Sequence, residues 1–555
     1  MKHQDHLSAY IAQSLRDNWN RPALTNFQGV TFQYHDVARK IAKLHILFEH
    51  AGIKRGDKIA LCGKNSSQWA VAFFAVITYG AVAVPILHEF KPDNVHHLVT
   101  HSEARLLFTD QAIWENLDPE LMKLLDGAVL LQDFSLLLSR SRSLTEGREH
   151  LNELFGKKYP ERFRPTDVQY RKESSDELAL INYTSGSTGF SKGVMLSYGS
   201  LWSNVQYCID GLNWLNPGDG IVSMLPMAHM YGLVIDTIHP FVKGCHVNFL
   251  TRTPSPRVIM EAFAEVRPKL IVTVPLIIEK IIKTKVFPLL EKPLMKLMLH
   301  VPFVDDRLLG KIKERLTEVF GGQIRQIIIG GAGLNHDVEK FLRRIEFPFT
   351  VGYGMTECGP LISYTPWERQ RPGSCGQVVD RMTIKCDSPD PANVPGVLYV
   401  KGRNVMQGYF KNPEATAEVL APDGWMSTGD IGNIDAEGYI YIRGRDKNMI
   451  LGPSGQNIYP EEIEQKLNNM PYVAESVVVE NGAGKLVALV YPDLENVNLQ
   501  KIPHEQLQTL MESNIKTLNQ ELPGYSQITG VKIMNEEFEK TPKRSIKRYI
   551  YMHQA

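Results

Sequence analysis

The string Tyr183-Thr184-Ser185-Gly186-Ser187-Thr188-Gly189-Phe190-Ser191-Lys192-Gly193 carries the strongest chemical signal in the chain. Its glycines let the backbone approach a phosphate and turn N–H groups inward. Its Ser and Thr hydroxyls add hydrogen-bond donors and Lys192 adds a positive charge, a set that suits a triphosphate. The spacing is not a Walker A loop, because no Gly-Lys-Ser/Thr closes a GxxxxG frame. Gly189–Gly193 matches GxSxG formally, but a nucleophile elbow puts its Ser directly between strand and helix. Ser191 instead stands well past the strand-like run LALIN.

Seven later strings add further groups. Leu225–Gly232 places His229 among apolar residues, which by itself is the setting of a packed core histidine. Ile329-Gly330-Gly331-Ala332-Gly333 is a glycine-rich turn that lacks the last Gly of a dinucleotide fingerprint. Gly352-Tyr353-Gly354-Met355-Thr356-Glu357 supplies an aromatic ring, a hydroxyl and a carboxylate. Trp425–Asp430 ends on a second carboxylate, and Gly444-Arg445-Asp446-Lys447 adds two cations. Gly455–Glu464 follows, and the segment Glu539–Arg548 closes the series.

Taken in this order, the strings resemble the adenylate-forming superfamily of acyl-CoA synthetases, aryl-CoA ligases, luciferases and peptide-synthetase adenylation domains. The resemblance implies ATP and Mg²⁺ chemistry in two steps. A carboxylate attacks the α-phosphorus to give acyl-AMP and pyrophosphate, and coenzyme A then takes the acyl group and releases AMP. Thr184, Ser185, Gly186, Ser187, Thr188, Gly189 and Lys192 would cradle the phosphates. Glu357, with Thr184, would hold Mg²⁺, a hard cation suited to oxygen ligands. Gly331, Ala332, Gly352, Tyr353, Gly354, Met355 and Thr356 would face adenine and the α-phosphate. Asp430, Ile442 and Arg445 would serve the ribose side. His229, Met230, Tyr231, Gly330 and Gly354 would line the acyl pocket, and Gly455 would leave room for a pantetheine arm. Lys447 would be the pivot between the half-reactions. The catalytic set is Lys192, His229, Glu357, Lys447 and the residue at position 545.

That last position departs from the family pattern. Aligned through Thr541-Pro542 and Ile546, the lysine that would bridge carboxylate and α-phosphate is replaced by Ser545. A hydroxyl supplies no positive charge. Three readings follow: Lys543 or Lys547 substitutes, the chain adenylates slowly, or it performs the thioester half-reaction alone or binds without turnover. Within the superfamily the chain most resembles bacterial long-chain fatty-acyl-CoA synthetases. That implies a medium- or long-chain fatty acid, cytoplasmic residence and weak peripheral membrane contact. An acyl carrier protein in place of coenzyme A is the alternative acceptor.

Around these strings the sequence reads as α/β. Short apolar runs alternate with helical patterns from Thr31 to Leu125 and from Leu178 to Tyr364, as in mostly parallel sheets. Residues 126–175 read as a surface excursion, and 365–445 as a small β subdomain. Residues 446–555 read as a small mobile α+β domain after a large domain of 1–445; 555 residues exceed what one core of about 250–300 residues holds. Trp69–Leu87 is long and uncharged, but Gly80 and Pro85 and its strand-like end predict a buried helix running into a buried strand. Residues 285–319 predict a half-buried helix pair over a membrane-surface helix. Lys+Arg and Asp+Glu are both 61, so no charge excess argues for nucleic acid as a partner. The six scattered cysteines form no zinc-spaced cluster and predict reduced thiols. Oligomeric state is not encoded in any of these patterns.

Overall fold

A computed structural model describes residues 5–184, 191–251, 255–290, 292, 295, 304–452, 456–481, 484–500, 502–541, 546–552 and 554. Two large sheets dominate the N-terminal part. The first has eight strands in the order Gly408–Tyr409, Lys192–Ser197, Leu178–Thr184, Val82–Ile86, Lys58–Cys62, Ala104–Thr109, Gly127–Leu130 and Leu136–Ser139. The second has seven, in the order Phe349–Val351, Gln326–Ile329, Leu270–Thr273, Gly220–Ser223, His246–Phe249, Pro22–Asn26 and Thr31–Gln33. The central pairings of both are parallel, as the β–α alternation predicts.

The uncharged stretch at Trp69–Leu87 resolves as predicted. The helix Ser67–Tyr79 starts at Ser66, whose side chain accepts from the Trp69 N–H, and stops at Gly80 with φ of 93°. Such a left-handed cap is cheap only for glycine. The helix is apolar all round, so it is buried rather than amphipathic. Trp69, Phe73 and Phe74 are fully buried, each contributing about 1.5–3 kcal/mol by leaving water. The next strand, Val82–Ile86, is buried along its whole length between parallel neighbours. No helix among the described residues is long and apolar enough to cross a membrane.

One expectation needs correction. Residues 126–175 are not a strandless excursion, since Gly127–Leu130 and Leu136–Ser139 extend the eight-stranded sheet before two short helices. The outer strand is half-buried at every position, so it lacks the alternation that marks a strand in sequence. Pro22–Asn26 is also a strand, joined parallel to His246–Phe249, ahead of the point where the alternation becomes visible. In 285–319 the described helices are Phe287–Leu290 and Val304–Val319. The second buries Leu309 and Leu316 in the core beneath the seven-stranded sheet, which supports the half-buried reading.

The expected β subdomain is a four-stranded antiparallel sheet of Met382–Asp387, Gly396–Gly402, Met426–Ile434 and Ile440–Arg445. The C-terminal elements also follow the sequence reading: helix Pro460–Leu467, strands Val473–Glu480 and Leu486–Pro492, helix His504–Asn519 and strand Ile528–Ile533. A buried ion pair ties the chain end to this unit. Arg548 Nη2 lies 2.5 Å from Glu464 Oε2, and Glu464 Oε1 accepts from the Val478 N–H at 2.6 Å. Removing one partner strands the other charge away from water. Arg548→Ala is therefore expected to destabilise the C-terminal unit by about 3–5 kcal/mol, read by urea unfolding of the full chain.

Candidate active site

The phosphate loop sits between two antiparallel strands, with Thr184 opposite Lys192 in the register. A strand, not a helix, follows Ser191, which removes the nucleophile-elbow geometry. Ser185, Gly186, Ser187, Thr188 and Gly189 lie outside the described residues. At the loop's base, Thr184 Oγ1 donates to the Lys192 carbonyl at 3.4 Å. The Lys192 ammonium stands 4.8 Å from the centroid of the Tyr409 ring. The Tyr409 hydroxyl donates to Glu357 Oε1 at 3.0 Å. Tyr409 thus joins two predicted catalytic residues from strings 165 positions apart, and no sequence signal singled it out. Its place comes from the two-residue strand Gly408–Tyr409 pairing with Val194 and Met195.

A second convergence gathers Tyr353, Asp430 and Arg445. Asp430 and Arg445 face each other across adjacent strands of the β subdomain. Arg445 Nε lies 2.8 Å from Asp430 Oδ1, and the Tyr353 hydroxyl donates to Asp430 Oδ2 at 2.5 Å. Burial pushes the Asp430 carboxyl up, against the opposing pull of Arg445 and of the Tyr353 hydroxyl. The same pair raises the Arg445 guanidinium despite its own desolvation. Ile442 lies on the strand of Arg445, and Lys447 lies in the single turn Asp446–Asn448 directly after it.

Between these clusters opens an apolar cavity with about 680 Å³ of empty space, its mouth included. His229, Tyr231, Gly330, Gly331, Gly352, Tyr353, Gly354, Met355 and Thr356 all line it, so three strings far apart in sequence meet there. His229 caps the short helix Met230–Leu233, its Nδ1 accepting from the Tyr231 N–H at 3.3 Å. That contact places the ring proton on Nε2. The Tyr231 hydroxyl donates to the Ile328 carbonyl at 3.0 Å, and its ring packs on Gly330 so closely that a Cβ there would lie 3.1 Å from it. Gly354 is fixed more tightly, since a Cβ would meet the Pro360 carbonyl at 2.2 Å.

Some expected residues lie elsewhere. Met230 is fully buried in the main core and does not line the cavity, because the helix turns it inward against neighbouring apolar side chains. Ala332 is exposed beyond the cavity rim. Gly455 and Ser545 lie outside the described residues. The sequence reading missed one whole wall: Tyr207, Cys208 and Gly211 from the helix Tyr198–Gly211, with Leu212. It also missed Asp236, which is fully buried one residue past the cavity-lining Ile235. Burial pushes its carboxyl up to about 8, which keeps it neutral at pH 7.

The profile of the AMP-binding enzymes matches residues 11–410, and that of the AMP-binding enzyme C-terminal domain matches 447–554. The chain belongs to the AMP-binding enzyme family. Within this adenylate-forming acyl/aryl-CoA ligase superfamily it is 29% identical to 4-coumarate:CoA ligase 1 of Petunia hybrida, over 85% of this chain and 81% of that one. It is 27% identical to the long-chain-fatty-acid–CoA ligase FadD15 of Mycobacterium bovis, over 80% and 74%. The fold is that of ATP-bound MatB from Rhodopseudomonas palustris, with a TM-score of 0.77, 23% identity and 99% of both chains covered.

The family's Mg²⁺ fits the residues in place. No cluster of three or more His, Cys, Asp or Glu able to hold a metal exists among the described residues. Mg²⁺ typically takes one or two protein oxygens and completes its shell with water and substrate phosphates. Glu357 offers such an oxygen, since Tyr409 engages Oε1 and leaves Oε2 for the cation. The ion would offset repulsion between the entering carboxylate and the phosphates.

Proposed function

We propose that this enzyme is an AMP-forming acid–thiol ligase for medium- or long-chain fatty acids, with coenzyme A as acceptor. The apolar cavity carries this reading. Its lining combines His229, Tyr353 and Thr356 with the apolar side chains of Leu212, Ile235 and Ile328. A carboxylate would sit at the polar end, its hydrocarbon tail in the apolar space. His229 Nε2–H would donate to the carboxylate, and Asp430 would accept from the ribose hydroxyls beside a stacked Tyr353. Residues 446–555 would then turn about Lys447 and bring the Gly455 loop to the thiol.

Chain length is testable at Gly211. Gly211 lines the cavity and a Cβ there meets no atom within 4 Å, so a larger side chain is tolerated at this position. Each methylene excluded from an apolar pocket costs about 1–3 kcal/mol of discrimination. Gly211→Phe is expected to lower kcat/KM for sixteen-carbon acids by about 10²-fold while sparing short acids. The assay is acyl-CoA formation by mass spectrometry across a chain-length series. An unchanged profile, or preference of the native chain for aryl acids, would contradict the fatty-acid reading.

A further inference from the structure

We propose that a second, polar pocket at the base of the phosphate loop receives the pyrophosphate leaving group; this rests on the adenylate-forming reading above. The pocket is lined by His97 and His101, by Ser191 and Lys192, and by Lys411 and Asn412. Its empty space is about 520 Å³ with the mouth included. No carboxylate lies among its described lining residues. Three basic side chains, His97, His101 and Lys411, with a hydroxyl and an amide match a multiply charged tetrahedral anion.

The fold sets these groups together in three ways. His97 and His101 stand one turn apart on the helix Pro92–Ser102, their ring centroids 5.6 Å apart. The His101 Nδ1 is held 2.8 Å from the Tyr183 hydroxyl, on the strand that leads into the phosphate loop. The Phe410 N–H donates to the Gly193 carbonyl at 2.7 Å, which fixes Lys411 and Asn412 beside Ser191 and Lys192.

Lys411 can turn toward an anion at small cost. Its ammonium donates to the His101 carbonyl at 3.1 Å and to Glu103 Oε1 at 2.9 Å. Glu103 also faces Lys58 at 3.5 Å, so it keeps a partner when Lys411 moves. Ion pairs this exposed contribute little to stability. Lys192 belongs to both spaces, with its backbone at the loop's base and its ammonium over Tyr409.

The chemistry needs such a receiver. In the adenylating step the carboxylate oxygen bonds to the α-phosphorus. The bond from that phosphorus to the α–β bridging oxygen breaks, and pyrophosphate departs with the electron pair. It leaves from the phosphate end, away from the apolar cavity where acyl-AMP remains. Lys192 would pass it toward Lys411 and the two histidines.

The test is calorimetric titration of inorganic pyrophosphate into the full chain and into Lys411→Ala and His97→Ala, with steady-state kinetics for ATP alongside. Loss of one charge-assisted contact should raise the pyrophosphate dissociation constant about tenfold in each variant. KM for ATP should stay within about twofold. An unchanged pyrophosphate affinity, an equal rise in KM for ATP, or equal competition by sulfate would each overturn the proposal. Calorimetry reads the pocket without turnover. An active chain with unaltered pyrophosphate affinity therefore sinks this inference alone, whereas a chain that binds pyrophosphate but never releases AMP sinks the enzymatic reading.

Discussion

Ser545→Lys is expected to raise the rate of acyl-AMP formation by about 10²–10³, the effect of one added charge contact at the developing transition state. The adenylating step brings a carboxylate against a triphosphate, and the native hydroxyl at position 545 offsets none of that repulsion. The described lysines on either side are engaged elsewhere. Lys540 lies 2.8 Å from Glu475, and Lys547 lies 2.6 Å from Glu539. Lys540 and Ile546 pair in an isolated antiparallel bridge. Single-turnover formation of acyl-AMP reads the step directly. Thioester formation from supplied acyl-AMP should be the same in both chains, because the charge acts on the first half-reaction. A native chain already as fast as Ser545→Lys would place the charge on another lysine. Lys543→Ala would then abolish the advantage.

Asp430→Ala is expected to weaken ATP binding about 10²-fold, since a carboxylate accepting from neutral hydroxyls contributes about 1.5–3 kcal/mol per hydrogen bond. Asp430 is 4% exposed and anchors both Tyr353 and Arg445. The substitution would thus remove the proposed ribose contact and, with it, the anchor of the Tyr353 ring. Tyr353→Phe separates the two effects. It keeps the ring and the carboxylate and loses one hydrogen bond, so a loss of about tenfold or less is expected. Equal losses in both variants would mean that the hydroxyl contact, rather than the Asp430 carboxylate, carries nucleotide affinity. Equilibrium titration with ATP measures both, and thermal melting of each variant checks the fold.

Much of this site is readable before any coordinates, because its strings combine unusual residues in fixed order. Leu178–Thr184 is the strand that the run LALINYT predicts, residue for residue. Tyr353, Asp430 and Arg445 are each named by a motif, and the fold brings them within hydrogen-bond reach. What the sequence hides is set by tertiary pairing. Tyr409 has no motif of its own, and only the register against Val194 and Met195 places its hydroxyl on Glu357. Tyr207, Cys208 and Gly211 read as ordinary positions of an amphipathic helix until the cavity beside them exists. Met230 fails in the opposite sense. It adjoins His229 in sequence, yet helical geometry sends the two side chains different ways. The edge strand Leu136–Ser139 escapes notice because a half-buried edge loses period-two patterning.

Formation of an acyl-adenylate shows itself in the identity of the products. The full chain would be incubated with ATP labelled in the α- and γ-phosphates, Mg²⁺ and a fatty-acid series, with and without coenzyme A. Acid-dependent release of AMP and pyrophosphate in equal amounts is expected, carried through many turnovers by coenzyme A. Release of ADP and phosphate, or of nothing with any carboxylate supplied, would contradict acyl-adenylate formation.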